Sequence, residues 1–174
     1  MIMAKKSAAV SEIIDNIRRV FQVVNEKSKR VTQKTGLTGP QLWALKTIAQ
    51  LSPVRVSNLA RLMYLHPATV VGMLNRLELQ GLIKRVRTND DRRAVNVELT
   101  NAGNKLVEKA PQVAQELLVA GLEELPLAKL QEIAAGLEEL VHILGARELP
   151  PQLILSPEVN LPKRKIRAVK GQVA

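Results

Sequence analysis

The sequence predicts a mainly α-helical chain with one small β-hairpin. Most of the chain repeats its apolar residues at the spacing of amphipathic helices, and glycine or proline stands where those helices would begin or end. The stretch 83–99 differs, because two short strand-like runs flank a polar tip. Two short helical segments lead directly into this stretch, so residues 56–100 organise the prediction for the whole chain.

The two short helical segments fit a helix-turn-helix. Ser57 is expected to cap the first helix, and a break at residues 64–65 separates it from the second. Pro67 suits the first turn of the second helix, and Gly81 suits its C-terminal cap. The apolar faces consist of Leu59, Ala60 and Met63 in the first helix and Val70, Leu74 and Leu77 in the second. Two helices on so short a turn predict a helix-turn-helix whose second helix is the reading helix.

The hairpin extends this motif to a winged helix-turn-helix. Residues 83–87 predict one strand, and residues 94–99 predict the other because apolar and polar side chains alternate there. The tip between them, residues 88–93, carries two carboxylates and two guanidiniums. Thr100 is expected to cap a further helix.

Amphipathic helices are predicted on both sides of the winged part. Before it, residues 10–34 have helical apolar spacing, Gly36 is expected to end that helix, and Val54-Arg55 suits a third strand. A helix between them has Thr38 as its expected cap and Pro40 in its first turn. Its core-facing residues are expected to be Leu42, Leu45, Ile48 and Ala49. Trp43 is expected in the core or a subunit contact, with a ligand-pocket wall as the alternative.

The chain after residue 100 predicts more helix and then a tail. Pro111 is expected to divide the helical region that begins at Asn101, and Pro126 and Gly145 are expected to bound the last helix. From residue 147 the apolar pattern ends, and prolines and a basic run follow. Within this tail, the apolar residues expected to dock on the body are Leu153, Ile154 and Leu155.

The composition excludes several kinds of chemistry. The chain of 174 residues has no cysteine, so disulfides, thiolate metal sites and thiol switches are excluded. Two isolated histidines do not form a His-rich metal cluster, although carboxylate-supported sites stay open. Because no nucleophile–base pair or phosphate-binding loop is evident, we expect no cofactor and no enzyme. No apolar run reaches roughly 18 residues and no signal-peptide segment is evident, so we expect a cytoplasmic protein without a membrane partner.

The net charge of +10 is unevenly distributed. Residues 1–35 carry +5, residues 55–100 carry +4 and residues 147–174 carry +4, whereas residues 101–146 carry −4. Basic charge on the proposed reading part and on both termini suits a polyanionic partner. Ordinary solubilising charge is the alternative.

Six short motifs together identify a family resemblance. They are Leu59-Ala60, Thr69-Val70, Leu77-Glu78, Gly81-Leu82-Ile83, Asp91-Arg92-Arg93 and Leu99-Thr100-Asn101-Ala102-Gly103. In this order and spacing they closely resemble the MarR (multiple antibiotic resistance regulator) family, over roughly residues 11–144. The Asp-Arg-Arg tip followed by Leu-Thr and a glycine is the most specific part.

The resemblance implies the following organisation. A mainly α chain with a small β-wing would combine a winged helix-turn-helix with a helical dimerisation region. The expected parts are an N-terminal dimerisation helix (1–35), a DNA-binding domain (36–100), C-terminal dimerisation helices (101–146) and a proline-containing basic tail (147–174). The first helix and the last two would interlock with a second subunit. The partners would be double-stranded DNA with a roughly palindromic operator and a second copy of the chain, with a small effector as a further candidate.

The function expected from this resemblance is a sequence-specific transcription regulator, most simply a repressor that a small ligand releases from DNA. Relatives commonly bind aromatic acids or similar compounds between the dimer helices and the reading part. The alternative, from a different class, is a winged-helix protein-interaction or architectural module that binds nucleic acid without sequence choice.

The expected reading face lies opposite the apolar face of the second helix. Its residues are Pro67, Ala68, Thr69, Val71, Gly72 and Asn75. Thr69 can hydrogen-bond a phosphate or base, and Asn75 can pair with adenine if it reaches deep enough. Gly72 puts strong guanine readout in doubt, because many relatives have a long polar residue there. A helix whose small residues only let the backbone approach the groove is the alternative. His66, just before this helix, is expected to be a partly exposed turn residue, with a phosphate contact as the alternative.

The wing supplies the remaining expected contacts. Arg93 is expected to enter an A·T-rich minor groove, oriented by a charge-assisted hydrogen bond that its guanidinium donates to Asp91. Arg92 and Arg87 are expected to meet phosphates, and Arg76 to contact phosphate or pair with Asp91. A solvated turn whose local ion pairs contribute little is the alternative.

Overall fold

Helices make up most of the chain, and three short strands form the wing sheet. The computed structural model describes residues 2–87, 95–151 and 153, with backbone alone for residues 2 and 87. The helices are α1 (Ile2–Thr35), α2 (Gly39–Leu51), α3 (Val56–Leu62), α4 (Pro67–Leu79), α5 (Asn101–Glu108), α6 (Ala114–Glu123) and α7 (Leu127–Ile143). The strands are β1 (Val54–Arg55), β2 (Ile83–Arg87) and β3 (Val95–Leu99). The predicted fold class, mainly α with a small β-wing, is confirmed.

The sheet is antiparallel with β3 in the middle, in the order β1-β3-β2. Val54 lies opposite Val97, and Ile83 lies opposite Leu99. All four of these side chains are buried, so one face of the sheet closes the core. The short third strand that the sequence predicts at Val54-Arg55 is therefore present.

One buried cluster joins the reading helix to the rest of the winged part. From α4 it takes the side chains of Val70, Met73, Leu74 and Leu77, and none of the four has any exposed surface. From the other helices and their connections it takes Val31, Leu37, Leu42, Ala44, Leu45, Ile48, Leu59, Ala60, Met63 and Val113. Full burial of four large side chains contributes roughly 6–12 kcal/mol of hydrophobic free energy before the entropy of ordering is subtracted. This packing fixes how α4 is rotated about its own axis.

The predicted helix ends are mostly present. Gly36, Gly81 and Gly145 have φ of +70°, +69° and +64°, a left-handed conformation that glycine adopts at little cost after a helix. Thr38 and Thr100 are N-cap residues, and the Thr100 Oγ1 accepts a hydrogen bond from the N–H of Gly103 at 3.1 Å.

Three details of the sequence prediction were wrong. Ser57 does not cap α3, because the helix begins at Val56 as soon as β1 ends, and Arg55 takes the cap position without a side-chain bond. Ala49 is exposed, since the last turn of α2, residues 49–51, projects beyond the core. Helix α1 begins at residue 2 instead of 10, because the residues before Val10 include several good helix formers although they lack apolar periodicity.

Helices α6 and α7 contain no buried residue, and much of α1 is exposed. Large apolar side chains nevertheless follow all three helices and stay exposed, including Val20 and Phe21 on α1, Leu118 on α6, and Leu137 and Val141 on α7.

Leu153, after α7, is partly buried and packs against the core, as the sequence predicts, while residues 154 and 155 lie outside the described part of the chain. Within the described residues, no helix combines the length and the apolar character needed to cross a membrane.

We expect Gly103→Ala to destabilise the protein by about 1–3 kcal/mol, because an added Cβ would overlap the carbonyl oxygen of Leu82. That oxygen already accepts the N–H of Thr100 at 3.1 Å, so it is not free to move. Gly72→Ala is the matched control: a Cβ there meets nothing within 4 Å, and it should stabilise α4 by about 0.5–1 kcal/mol. Urea unfolding of both variants measures the difference. A neutral Gly103→Ala would contradict this close packing.

Candidate nucleic-acid interface

The exposed side of α4 is made of small side chains. Pro67, Ala68, Val71 and Asn75 are exposed on it, and Thr69 and Gly72 are partly exposed. The structure therefore brings all six predicted reading-face residues to the side of α4 that faces away from the core cluster. A Cβ added at Gly72 would contact nothing within 4 Å, so this face has open space beside it. Such a surface allows the backbone of α4 to approach a groove closely.

His66 begins α4 as its N-cap residue. Its Nδ1 accepts a hydrogen bond from the N–H of Ala68 at 3.3 Å, and its carbonyl oxygen accepts the N–H of Thr69 at 3.0 Å. The sequence predicted a partly exposed turn residue; His66 is exposed, and its imidazole also satisfies one of the unpaired donors at the helix start. Since Nδ1 accepts, the neutral ring carries its proton on Nε2. The position directly before Pro67 was the signal for this role.

The sequence did not single out Arg85, which the structure places against the reading helix. Its Nη1 donates to Glu78 Oε2 at 2.7 Å, and its Nη2 donates to Asn75 Oδ1 at 2.7 Å. Because side chains alternate along a strand, Arg85 lies on the same face of β2 as the buried Ile83, toward α4. The guanidinium therefore connects β2 of the wing to two residues one turn apart on α4. The alternation along β2 was the signal that could have found it.

Two polar contacts connect the helix-turn-helix to α6. In the turn between α3 and α4, Tyr64 has φ of +52°, and its hydroxyl donates to Glu123 Oε1 at 2.7 Å. This hydrogen bond, and secondly the carboxylate charge, raise the pKa of Tyr64 above its usual value, because both stabilise the protonated phenol. Lys46 of α2 pairs with Glu116 at 3.0 Å. Helix α6 is thus attached both to α2 and to the turn before α4.

The remaining predicted site residues are described only in part. Arg76 lies on α4 at intermediate exposure, beside the reading face. The backbone of Arg87 ends β2, and its side chain is outside what the structure describes. Asp91, Arg92 and Arg93 lie outside the described residues, so their roles stay predictions. Across the described residues, no cluster of three or more His, Asp or Glu side chains could hold a metal ion.

The comparisons with known proteins agree on one family. The MarR family model matches residues 37–95, which run from the loop before α2 to the start of β3. The organic hydroperoxide resistance transcriptional regulator of Bacillus subtilis is 31% identical over 121 residues, 70% of this chain and 81% of its own length. The HTH-type transcriptional regulator MgrA of Staphylococcus aureus is 30% identical over the same shares of the two chains.

Solved structures give the same fold. The chain is similar to a MepR-like protein complexed with pseudoligands, with 30% identity, a TM-score of 0.53, and coverage of 78% of this chain and 95% of the other. It is also similar in fold to S. aureus MepR in complex with DNA, with 22% identity, a TM-score of 0.52, and coverage of 72% and 93%. The relatives are named as transcriptional regulators and not as enzymes. The chain therefore belongs to the MarR family of transcriptional regulators, and it has the winged helix-turn-helix fold that its sequence predicts.

Proposed function

We propose that this chain is a homodimeric, sequence-specific DNA-binding regulator that acts as a repressor and is released by a small molecule. One observation carries the proposal: α4 presents an exposed face of small side chains while its opposite face is fully buried in the core. A helix held in this way can enter a major groove without changing its packing. The net charge of +4 on residues 55–100 favours the approach of a polyanion.

The dimer part of the proposal rests on the exposed apolar faces of α1, α6 and α7. These three helices expose many large apolar side chains, and soluble monomers rarely leave large apolar patches in water. Between α1 and α6, Val20, Val23, Val24, Leu117 and Leu118 line an open apolar groove of about 360 Å³. A second copy that covers these faces would place two α4 helices on one DNA duplex, as a roughly palindromic site requires.

The effector part of the proposal rests on the family and on the connections to α6. A MepR-like protein of the same family, 30% identical, was solved with pseudoligands. A ligand that moved α6 would act on the reading helix through the Tyr64–Glu123 and Lys46–Glu116 contacts. The sensing mechanism cannot use a thiol, because the chain has no cysteine.

The test of sequence-specific binding is a mobility shift on the DNA that flanks the protein's own gene, with scrambled DNA as competitor. We expect the flanking DNA to stay bound at competitor concentrations that remove a scrambled probe. Equal loss of both probes would contradict the proposal and support an architectural module instead.

Two variants assign this binding to the wing or to the tail. Arg93→Ala should lower affinity by about 1–3 kcal/mol and reduce the ratio of operator to random-DNA affinity, because it removes a fixed groove contact. Deletion of the residues after Pro162 removes five basic side chains, namely Lys163, Arg164, Lys165, Arg167 and Lys170. It should weaken binding to all DNA and flatten the salt dependence, but leave that ratio nearly unchanged. Selectivity that is lost with the tail and kept in Arg93→Ala would contradict the assignment.

We expect the protein to be a dimer at micromolar concentration, as measured by light scattering, and Leu118→Glu to weaken the dimer by at least about tenfold. Leu118 is 60% exposed in the single chain, and a carboxylate buried there against a second copy would have no partner. Leu79→Glu is the matched control, because Leu79 is 88% exposed at the end of α4 and does not line the groove between α1 and α6. A monomeric wild-type protein, or equal effects of both variants, would contradict the proposed interface.

A further inference from the structure

The contact of Arg85 with the reading helix restricts what Asn75 can recognise. A guanidinium only donates hydrogen bonds, so the Asn75 atom that faces Arg85 Nη2 at 2.7 Å must be the carbonyl oxygen Oδ1. The amide orientation therefore follows from chemistry. With one lone pair of Oδ1 taken by the charged Arg85 donor, the two N–H donors of Nδ2 are the stronger hydrogen-bonding groups that Asn75 offers to a ligand.

Glu78 holds Arg85 in this position. Asn75 and Glu78 are three residues apart on α4 and so lie on the same side of the helix, where one planar guanidinium spans both side chains. The Arg85–Glu78 ion pair measures 2.7 Å, and the Arg85 side chain is only 28% exposed. A guanidinium that is partly buried and donates two hydrogen bonds keeps a more fixed geometry than an exposed lysine side chain would. The orientation of the Asn75 amide is therefore set before any ligand arrives.

This orientation disfavours adenine. Bidentate pairing with adenine needs both ends of the amide, because Oδ1 accepts from N6 while Nδ2 donates to N7. To use Oδ1 in this way, Asn75 would have to accept a second hydrogen bond, from adenine N6, on an oxygen that already accepts from the Arg85 guanidinium. The positive charge of that guanidinium disfavours a further donor beside it. Guanine presents two neighbouring acceptors in the major groove, N7 and O6, and needs only donors from the protein.

We propose that Asn75 is a specificity-determining residue that donates to guanine, and that Arg85 is the positioning residue that sets this choice. The inference rests on the proposed function, since it assumes that α4 lies in a major groove. It replaces the pairing of Asn75 with adenine that the sequence alone suggested. It also supplies guanine recognition on a helix whose Gly72 offers none.

Binding-site selection from randomised DNA, followed by affinity measurement on single-base variants of the selected site, tests this proposal. Asn75→Asp keeps an acceptor for Arg85 but removes both N–H donors, so the preference for guanine over adenine at one position in each half-site should fall about tenfold. Arg85→Met keeps most of the side-chain volume but frees the Asn75 amide, so adenine should be accepted at that same position at least as well as guanine.

Lys84→Met is the matched control. Lys84 is the neighbouring residue of β2, points to the opposite face and pairs with Glu98 at 2.9 Å. The Lys84→Met substitution removes the same charge as Arg85→Met, so it should lower the affinity for all DNA sequences and leave the base preference unchanged. Thermal unfolding of each variant establishes that the protein remains folded. If Arg85→Met does not fold, the Asn75→Asp result decides alone. The Asn75 side chain is exposed, so its replacement should not disturb the core.

The outcomes separate this inference from the proposed function. A wild-type protein that selects no sequence overturns both. A selected site whose base preferences do not change in Asn75→Asp overturns the inference alone. So does a uniform loss of affinity in Asn75→Asp, which would mean that Asn75 donates to a phosphate. A change confined to one position per half-site, in both Asn75→Asp and Arg85→Met but not in Lys84→Met, supports it.

Discussion

The burial of one face of α4 is the constraint on which the rest of the structure depends. Val70, Met73, Leu74 and Leu77 have no exposed surface, so α4 cannot rotate about its axis without opening the core. The same packing that stabilises the fold therefore determines which side chains face outward. The exposed face of small side chains on α4 is therefore a consequence of the core packing.

The wing sheet and α1 share the apolar core of α4, and polar contacts add to this packing. Arg85 joins β2 to Asn75 and Glu78, and Tyr64 joins the turn before α4 to Glu123 of α6. Exposed or partly exposed hydrogen bonds of this kind contribute modestly to stability, but they have defined directions. Their directions fix orientation: Arg85 orients the side chain of Asn75 on α4, and Tyr64 connects the turn before α4 to α6.

The sequence predicted those features that depend on local patterns. Apolar spacing located the core positions of α4, glycines after the apolar runs marked the helix ends, and alternation of apolar and polar residues identified the hairpin. The sequence prediction failed where the outcome depends on which elements lie next to a residue in the folded structure. Ala49 has the right spacing for the core but lies past the elements that cover α2, and Ser57 lost its cap role because β1 passes directly into α3. Arg85 was read only as a strand residue. Alternation along β2 places it on the side of the buried Ile83, but which side chains of α4 it meets depends on how β2 folds back against that helix.

The central claim, that the exposed face of α4 lies in the major groove of DNA, is tested most directly by methylation interference at guanine N7. DNA methylated at random is bound by the protein, and the methylated positions missing from the bound fraction are read out. We expect two groups of interfering guanines on one face of the duplex, about one helical turn or 34 Å apart, one for each α4 of the proposed dimer. If N7 methylation has no effect at any position while phosphate ethylation blocks binding, the protein holds the backbone alone, and α4 is not the reading helix.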